Sequence, residues 1–268
     1  MRLYRASPLY PRLGPTLGKL VGAVTGNSAN TVIREIDGVS FELDLRENAS
    51  LFIRALLRSR QKTITAALKP GMTAVDIGAN FGYHTFRMAR AVGSEGKVIA
   101  IEPTGWAFSK LQRNMALNSA DNIHPVKVAL GDCDQGATEL SFRSSFRLDG
   151  TDLSTKEIVP MYTLDTTMKM NGVDRVDFVK MDVDGFEGKV IRGARETLTK
   201  HHPILFFEVT PSALRTNGED PAELVSVLTG LGYSLRTEAR KPISDVGIYL
   251  SKVAHGYSIN LFAAPPEF

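Results

Sequence analysis

From residue 72 onward, short apolar runs alternate with longer stretches in which apolar residues recur every three or four positions. The short runs are typical of buried strands, whereas the wider spacing is typical of helices that bury one face. Seven strands are predicted here: Thr73–Ile77, Val98–Glu102, Ile123–Ala129, Phe178–Asp182, Ile204–Val209, Tyr233–Thr237 and Tyr257–Ala263. This alternation predicts an α/β domain with a seven-stranded, mostly parallel sheet and helices on both faces.

The predicted helices carry local signals. Two place their apolar residues on one face, namely Phe108, Leu111 and Met115 in the first and Val190, Ile191, Ala194 and Leu198 in the second. A third begins at Asp220, followed by Pro221 at the first helical position. Asp165, which precedes two threonines, is interpreted as the cap of its own helix.

The segment before residue 72 has a different pattern. Residues 31–45 alternate apolar and polar around Asp37-Gly38, which predicts a β-hairpin. Helical spacing follows at Leu51, Phe52, Ala55, Leu56 and Ile64, and Pro70-Gly71 would end that helix. We therefore divide the chain into a basic leader (1–30), an accessory hairpin and helix (31–71) and the α/β domain (72–268).

Composition and charge narrow the class of protein. The 268 residues are 43% hydrophobic, which is enough for one domain with a sizeable core. The lone Cys133 excludes an internal disulfide, so we expect a reducing, cytoplasmic location. Residues 1–34 hold five basic residues and no acidic one. We interpret this leader as a solvated arm, with peripheral contact to an anionic membrane, or contact to nucleic acid, as the alternative.

A glycine turn follows the first predicted strand of the α/β domain, in the sequence Val75-Asp76-Ile77-Gly78-Ala79-Asn80-Phe81-Gly82. Gly78 permits a tight turn, and its missing side chain would let a ligand lie against the backbone. A helix that starts near Gly82 would aim N–H groups at an anionic group. Glu102 ends the second strand, where an acid can bind both ribose hydroxyls of a nucleoside.

Other nucleotide sites fit this turn less well. The dinucleotide motif G-x-G-x-x-G requires a second glycine where Asn80 stands, and the chain contains no G-x-x-x-x-G-K-[ST] phosphate loop. Asp76, just before the turn, suits a cationic amino acid moiety better than a diphosphate. These features disfavour a dehydrogenase.

Three segments together resemble the FkbM family of methyltransferases: V-D-I-G-A-N-F-G-Y-H-T, V-I-A-I-E-P and F-V-K-M-D-V-D-G-F-E. The resemblance spans roughly residues 44–263. Asp184 stands where the family pattern favours Glu, which shortens the carboxylate's reach. The resemblance implies a Rossmann-like class I methyltransferase fold, S-adenosylmethionine as cofactor, and methylation of a hydroxyl on a sugar or natural product.

The same resemblance implies roles for individual residues. Carried over by position, Asp76, Gly78, Asn80 and Gly82 would surround the methionine part of the cofactor, Glu102 would bind the ribose, and Asp132 would lie near the adenine amino group.

Acidic residues are expected at the carboxyl edge of the predicted sheet, where ligands bind in open α/β folds. Asp182 and Asp184 follow the fourth strand, and Glu208 lies near the end of the fifth. Asp182, Glu208 or His84 would take the proton of an alcohol acceptor. Alternatively, the three acids would hold Mg²⁺ or Mn²⁺, or Asp184 and Glu187 would serve the start of the next helix.

The sequence therefore predicts an O-methyltransferase for a glycan, a glycolipid or another small hydroxylated molecule. The D-V-D-G segment at 182–185 differs from the N-P-P-Y-like tetrapeptide of amino-methylating nucleic-acid enzymes, which argues against a nucleic-acid partner. A nucleic-acid methyltransferase and a cofactor-binding module without turnover are the alternatives.

Overall fold

Buried strands form the centre of the computed structural model, which describes residues 31–44, 62–143 and 154–265. The strands are β1 (Thr31–Ile36), β2 (Val39–Asp44), β3 (Thr73–Ile77), β4 (Lys97–Ile101), β5 (Ile123–Val126), β6 (Ala129–Leu130), β7 (Gly136–Arg143), β8 (Ser154–Tyr162), β9 (Phe178–Met181), β10 (Ile204–Val209), β11 (Ser234–Thr237) and β12 (Ile259–Ala264). The helices are α1 (Lys62–Thr65), α2 (Thr85–Val92), α3 (Gly105–Asn118), α4 (Leu164–Met170), α5 (Glu187–Arg192), α6 (Arg195–His201), α7 (Pro211–Thr216), α8 (Pro221–Gly230) and α9 (Val246–Ser251).

The main sheet has seven strands in the order β11-β12-β10-β9-β3-β4-β5. Neighbouring strands from β5 to β10 are parallel, and β12 runs antiparallel to both β10 and β11. This arrangement confirms the predicted fold. Strands buried on both faces have few polar positions, which is why each showed as an apolar run.

Alternate residues of the central strands enter two separate cores. Val75 and Ile77 of β3 join the core on one face of the sheet, and Ala74 joins the core on the other. Because side chains alternate along a strand, Asp76 shares the face of Ala74. A carboxylate is thus placed inside an apolar layer.

A second, three-stranded sheet was not predicted. Its order is β6-β8-β7, with β7 and β8 antiparallel and β6 parallel to β8. Ala129, predicted as the end of the third strand, belongs to this sheet instead, together with Leu130. Its surface is largely open, as Ile158 at 73% exposure shows. A strand that buries so little leaves a weak apolar signal in the sequence.

The predicted N-terminal hairpin is present as β1 and β2 and is packed on the α/β domain. Phe41 and Leu43 are 1% and 0% exposed and belong to the same core as Phe86. Two asparagines of α3 bind the edge of β2: Asn114 Oδ1 accepts from Glu42 N at 2.8 Å, and Asn118 Oδ1 accepts from Ser40 N at 2.8 Å. The hairpin therefore shares a core with the domain it precedes.

Parts of the N-terminal predictions lie outside the described residues. These are the leader (1–30) and the apolar positions from Leu51 to Leu56, whereas Ile64 lies in α1. Within the described ranges, every helix is too short or too polar to cross a membrane.

Helix ends follow the predictions in part. Asp220 caps α8 as predicted, accepting from Ala222 N at 2.9 Å. The helix predicted around Val190 and Leu198 is divided into α5 and α6. Asp165 does not cap its own helix, because Thr163 does so. Its carboxylate instead accepts from two backbone N–H groups in the first turn of α6.

Candidate active site at the carboxyl edge of the sheet

The glycine turn after β3 is held against two neighbouring strands. Gly78 N and Ala79 N both donate to Ile101 O of β4 at 3.0 Å, and Gly78 has φ +75°. A β-carbon at Gly78 would lie 2.0 Å from the carbonyl oxygen of Asp182. The missing side chain therefore serves the approach of two backbone segments. The expectation that it also lets a ligand lie against the backbone stays a prediction.

Two further residues of the turn, Asn80 and Gly82, also have positive φ. Asn80 has φ +53°, and its Oδ1 accepts from Phe81 N at 2.8 Å, a local bond that favours this conformation in Asn. Gly82 has φ +99°, and a β-carbon there would lie 2.7 Å from the Phe86 ring. Helix α2 begins at Thr85, later than the predicted start near Gly82.

Glu102 binds this turn as well as its own loop. Its Oε2 accepts from Asn80 N at 2.9 Å, and its Oε1 accepts from Thr104 N at 2.9 Å and Thr104 Oγ1 at 2.6 Å. Burial raises the pKa of Glu102, and these hydrogen bonds oppose the rise. A carboxylate offers about four acceptor positions. Binding both ribose hydroxyls would therefore require at least one of the three donors to move.

Asp76 is fully buried and engaged on both carboxylate oxygens. Its Oδ2 accepts from Thr85 Oγ1 at 2.6 Å, and its Oδ1 lies 3.2 Å from Lys180 Nζ. Lys180 is the partner of Asp76 in the β3–β9 register, so both side chains lie on one face of the sheet. The contacts of this carboxylate tie the glycine turn to α2 and β9. A contact between Asp76 and the cofactor stays a prediction.

Two carboxyl groups meet where β9 and β10 end. Met181 pairs with Phe207, so Asp182 and Glu208 are the next residues on adjacent strands. Glu208 forms side-chain hydrogen bonds with Asp182 and Ser258. Burial, and then the charge of Asp182, raises the pKa of Glu208 to about 8. Near neutral pH Glu208 therefore keeps its proton.

The loop after Asp182 is shaped by Glu187. Glu187 is 2% exposed, and its Oε1 accepts from Val183 N and Gly185 N at 3.3 Å. Burial raises the pKa of Glu187 to about 7. Asp184 has φ +51°, a conformation that Asp adopts more readily than most residues. Its side chain does not cap α5, whose N-terminal residue Phe186 lacks a side-chain cap, whereas Glu187 lies in the first turn as predicted.

Asp184 is reached by solvent on one side and lies among other acids. Desolvation, and then the charge of Asp182, raises the pKa of Asp184 to about 6. The predicted metal ligands Asp182, Asp184 and Glu208 do not form a metal site. In residues 31–44, 62–143 and 154–265, no three His, Cys, Asp or Glu side chains are grouped so that they could hold an ion.

Two other predicted site residues have different surroundings. Asp132 pairs with Arg192, Oδ2 to Nη2 at 3.2 Å, and Arg192 also binds Glu219 through both guanidinium nitrogens at 2.9 and 2.8 Å. His84 precedes α2 and packs edge-on against the Tyr83 ring, with centroids 5.1 Å apart. The adenine contact of Asp132 and the base role of His84 stay predictions.

Lys180 is the site residue that sequence reasoning missed. It stands in F-V-K-M, between apolar residues of a predicted buried strand. A lysine in such a position is rarely buried without a charged partner. Applied to the alternating faces of β3 and β9, that rule would have indicated Asp76 as the charged partner of Lys180.

Comparison with known proteins gives a family match over most of this region. The model of the methyltransferase FkbM domain matches residues 76–235. The 2-O-methyltransferase NoeI of Sinorhizobium fredii is 26% identical over 183 residues, with 60% of this chain and 74% of that protein covered. An arsenite methyltransferase of Halobacterium salinarum is 40% identical over 58 residues, and the chain covers 15% of its length.

Solved structures show more distant likeness. A methyltransferase FkbM from Methylobacillus flagellatus has a TM-score of 0.47 at 17% identity, with 80% of this chain and 52% of that chain covered. Fibrillarin from Aeropyrum pernix, crystallised with natively bound S-adenosyl-L-methionine, has a TM-score of 0.45 at 14% identity, with 87% and 82% covered.

Proposed function

Because this chain belongs to the FkbM family of S-adenosylmethionine-dependent methyltransferases, we propose that it methylates a hydroxyl group of a sugar, a glycolipid or another small natural product. The observation that carries the proposal is the Asp182–Glu208 pair at the carboxyl ends of β9 and β10. Ligands of open α/β sheets bind at this edge. The similarity to NoeI, a 2-O-methyltransferase, supports the choice of oxygen as acceptor.

The residues around the glycine turn fit the cofactor. Glu102 follows β4 beside a turn of positive-φ residues after β3, which is the arrangement that binds a nucleoside ribose. Bound S-adenosylmethionine supplies an electrophilic methyl group on a sulfonium. We propose that Glu102 accepts the ribose hydroxyls, and that Asp132 lies toward the adenine.

The acids at the strand ends then act on the acceptor. Asp182 is 41% exposed at its side chain, so an incoming hydroxyl group can reach it. While the bound cofactor would give up its methyl group by cleavage of the carbon–sulfur bond and leave as the thioether, Asp182 would take the acceptor's O–H proton, and Glu208 would stabilise the pair by its hydrogen bond. Most of the remaining acceleration comes from holding the reacting atoms in line.

Cofactor binding is tested first, by calorimetry with S-adenosylmethionine, its demethylated product and NAD. S-adenosylmethionine and its demethylated product should both bind, and NAD should bind far more weakly. Glu102→Ala should weaken binding by about 1.5–3 kcal/mol, the scale of lost charge-assisted hydrogen bonds. Glu139→Ala, which removes an exposed partner of Lys156, is the matched control and should change nothing. Tight NAD binding without a response to the methyl donor would contradict the proposal.

The acceptor is tested with labelled methyl donor and a panel of oligosaccharides, glycolipids, RNA and DNA, followed by mass spectrometry of the product. The label should appear on a hydroxyl oxygen of a small acceptor. Asp182→Asn should then lower turnover by about 10²–10⁴-fold with little change in cofactor affinity. The control Asp174→Asn, at an exposed residue, should keep wild-type turnover. Label in nucleic acid alone would favour the alternative acceptor class.

A further inference from the structure

Lys180 is a buried cation in the middle of the sheet. Its side chain is 5% exposed, and its Nζ lies 3.2 Å from Asp76 Oδ1, whose side chain is 0% exposed. Burial alone disfavours the ammonium form, but the charges of Asp76 and then Asp182 outweigh that cost and raise the pKa of Lys180. The residue is therefore positively charged in the folded protein.

The same amine reaches two loops of the site. Lys180 Nζ donates to Gly78 O at 3.1 Å and lies 4.0 Å from Asp182 Oδ2. One side chain thus joins the glycine turn after β3 to the loop after β9 (residues 182–185), called the acidic loop here. These are the two segments whose backbones touch at Gly78 and Asp182.

The carboxyl pair needs an asymmetry if one member is to act as a base. Two adjacent carboxyls share one proton, and the charges around them decide which one is ionised. Lys180 Nζ is 4.0 Å from Asp182 Oδ2. Glu208 is hydrogen-bonded to Asp182 and to a neutral hydroxyl, Ser258. The positive charge therefore favours the anion on Asp182.

The other charged groups around the pair are acids. Asp184, in the acidic loop, acts on Glu208 and faces Asp182, and Glu187 of α5 faces Asp182. Their negative charges disfavour a second ionisation in the pair. Lys180 offsets this effect on the Asp182 side.

We propose that Lys180 is a positioning residue that keeps Asp182 ionised, and Glu208 protonated as its hydrogen-bond donor, while it locks the glycine turn. The assignment of Asp182 as the group that meets the acceptor rests on the proposed function. In each turnover the acceptor's O–H proton moves to Asp182 and is later released to solvent. Glu208 keeps its own proton throughout.

The substrate-free protein tests the ionisation pattern by infrared titration of protonated carboxyl groups. Glu208→Gln should abolish one protonated-carboxyl band at every pH, whereas Asp182→Asn should keep that band and lower its titration midpoint, because the neighbouring negative charge is gone. In Lys180→Met the band should titrate at a pH displaced by about one unit or more, because a charge at this distance acts through a partly buried medium. A band abolished at every pH in Asp182→Asn, or unmoved in a folded Lys180→Met, overturns the proposal.

Lys180→Met leaves the buried Asp76 carboxylate without its cation and risks misfolding. The double variant Lys180→Met/Asp76→Asn removes both charges and keeps the comparison of titrations possible, and thermal unfolding reports whether each variant is folded. Lys169→Met, which breaks an exposed pair with Glu196, is the control and should leave the band unchanged.

Turnover supplies a separate readout once an acceptor is found. The acid limb of the kcat–pH profile should move upward in the lysine variant, with about tenfold lower kcat at a pH one unit below the wild-type limb. An unmoved limb in a folded variant contradicts the inference. If no hydroxylated acceptor is methylated, the proposed function fails, whereas the substrate-free titration still decides the ionisation pattern.

Discussion

Replacing Gly78 by alanine adds one methyl group where β3 and β9 are in closest contact. The new β-carbon would lie 2.0 Å from Asp182 O, a backbone atom that cannot rotate away. The residue also has φ +75°, which costs alanine about 1–2 kcal/mol. Forced displacement in a packed interior adds about 1–3 kcal/mol. We expect a loss of about 2–5 kcal/mol in the free energy of unfolding.

Gly256 supplies the matched control for this substitution. It has φ +74°, and a β-carbon there would have nothing within 4 Å, so Gly256→Ala carries the backbone strain without the collision. Thermal and urea unfolding of both variants separate the two costs. At about 2–4 °C per kcal/mol, Gly78→Ala should melt at a clearly lower temperature than its control. It should also lose turnover through displacement of Asp182. Equal melting temperatures, or full turnover, would refute the close-approach argument.

Two further substitutions test the helix cap and the titration of the acids. Asp165 accepts from Glu196 N at 2.9 Å and Thr197 N at 2.7 Å. Asp165→Ala should therefore lower stability by about 1 kcal/mol, measured by urea unfolding, while cofactor affinity by calorimetry stays constant; a weaker cofactor affinity would argue against a purely structural role. The pKa of Glu208 is raised to about 8 and that of Glu187 to about 7, both from 4.5. The folded state then binds more protons than the unfolded chain, so the free energy of unfolding should fall as pH rises from about 4.5 to about 8. Urea unfolding at stepped pH measures this slope, which Glu208→Gln should flatten. A stability that rises across this window would contradict the assigned direction.

The order of strands and helices in the main domain followed from the sequence because the central strands β3, β4, β9 and β10 are mostly apolar on both faces. Apolar strand segments alternate with helical segments along the chain, and this alternation is the pattern of a parallel sheet covered by helices. The glycine turn and Glu102 were predictable for a related reason. Tight backbone at the end of one strand, and an acid at the end of the next, are local features of the chain.

The β7–β8 hairpin left a weak signal because it buries so little. Val159 is 1% exposed, whereas Ile158 beside it is 73% exposed. Apolar periodicity reports burial, so an open sheet is poorly recorded in the sequence. The attachment of β2 to α3 was likewise hidden, because Asn114 and Asn118 bind backbone atoms about 70 residues or more away in the chain.

Tertiary structure decided how the charged residues divide their tasks. Sequence placed Asp76, Asp182 and Glu208 near one edge, but the register of β9 with β3 set Lys180 against Asp76. The register of β9 with β10 set Asp182 beside Glu208. The pKa of a carboxyl depends on its burial and on charges a few ångströms away. Those distances are set between strands, so the chain alone supplied the acids, and the folded sheet determined which of them is paired with a lysine and which holds a proton.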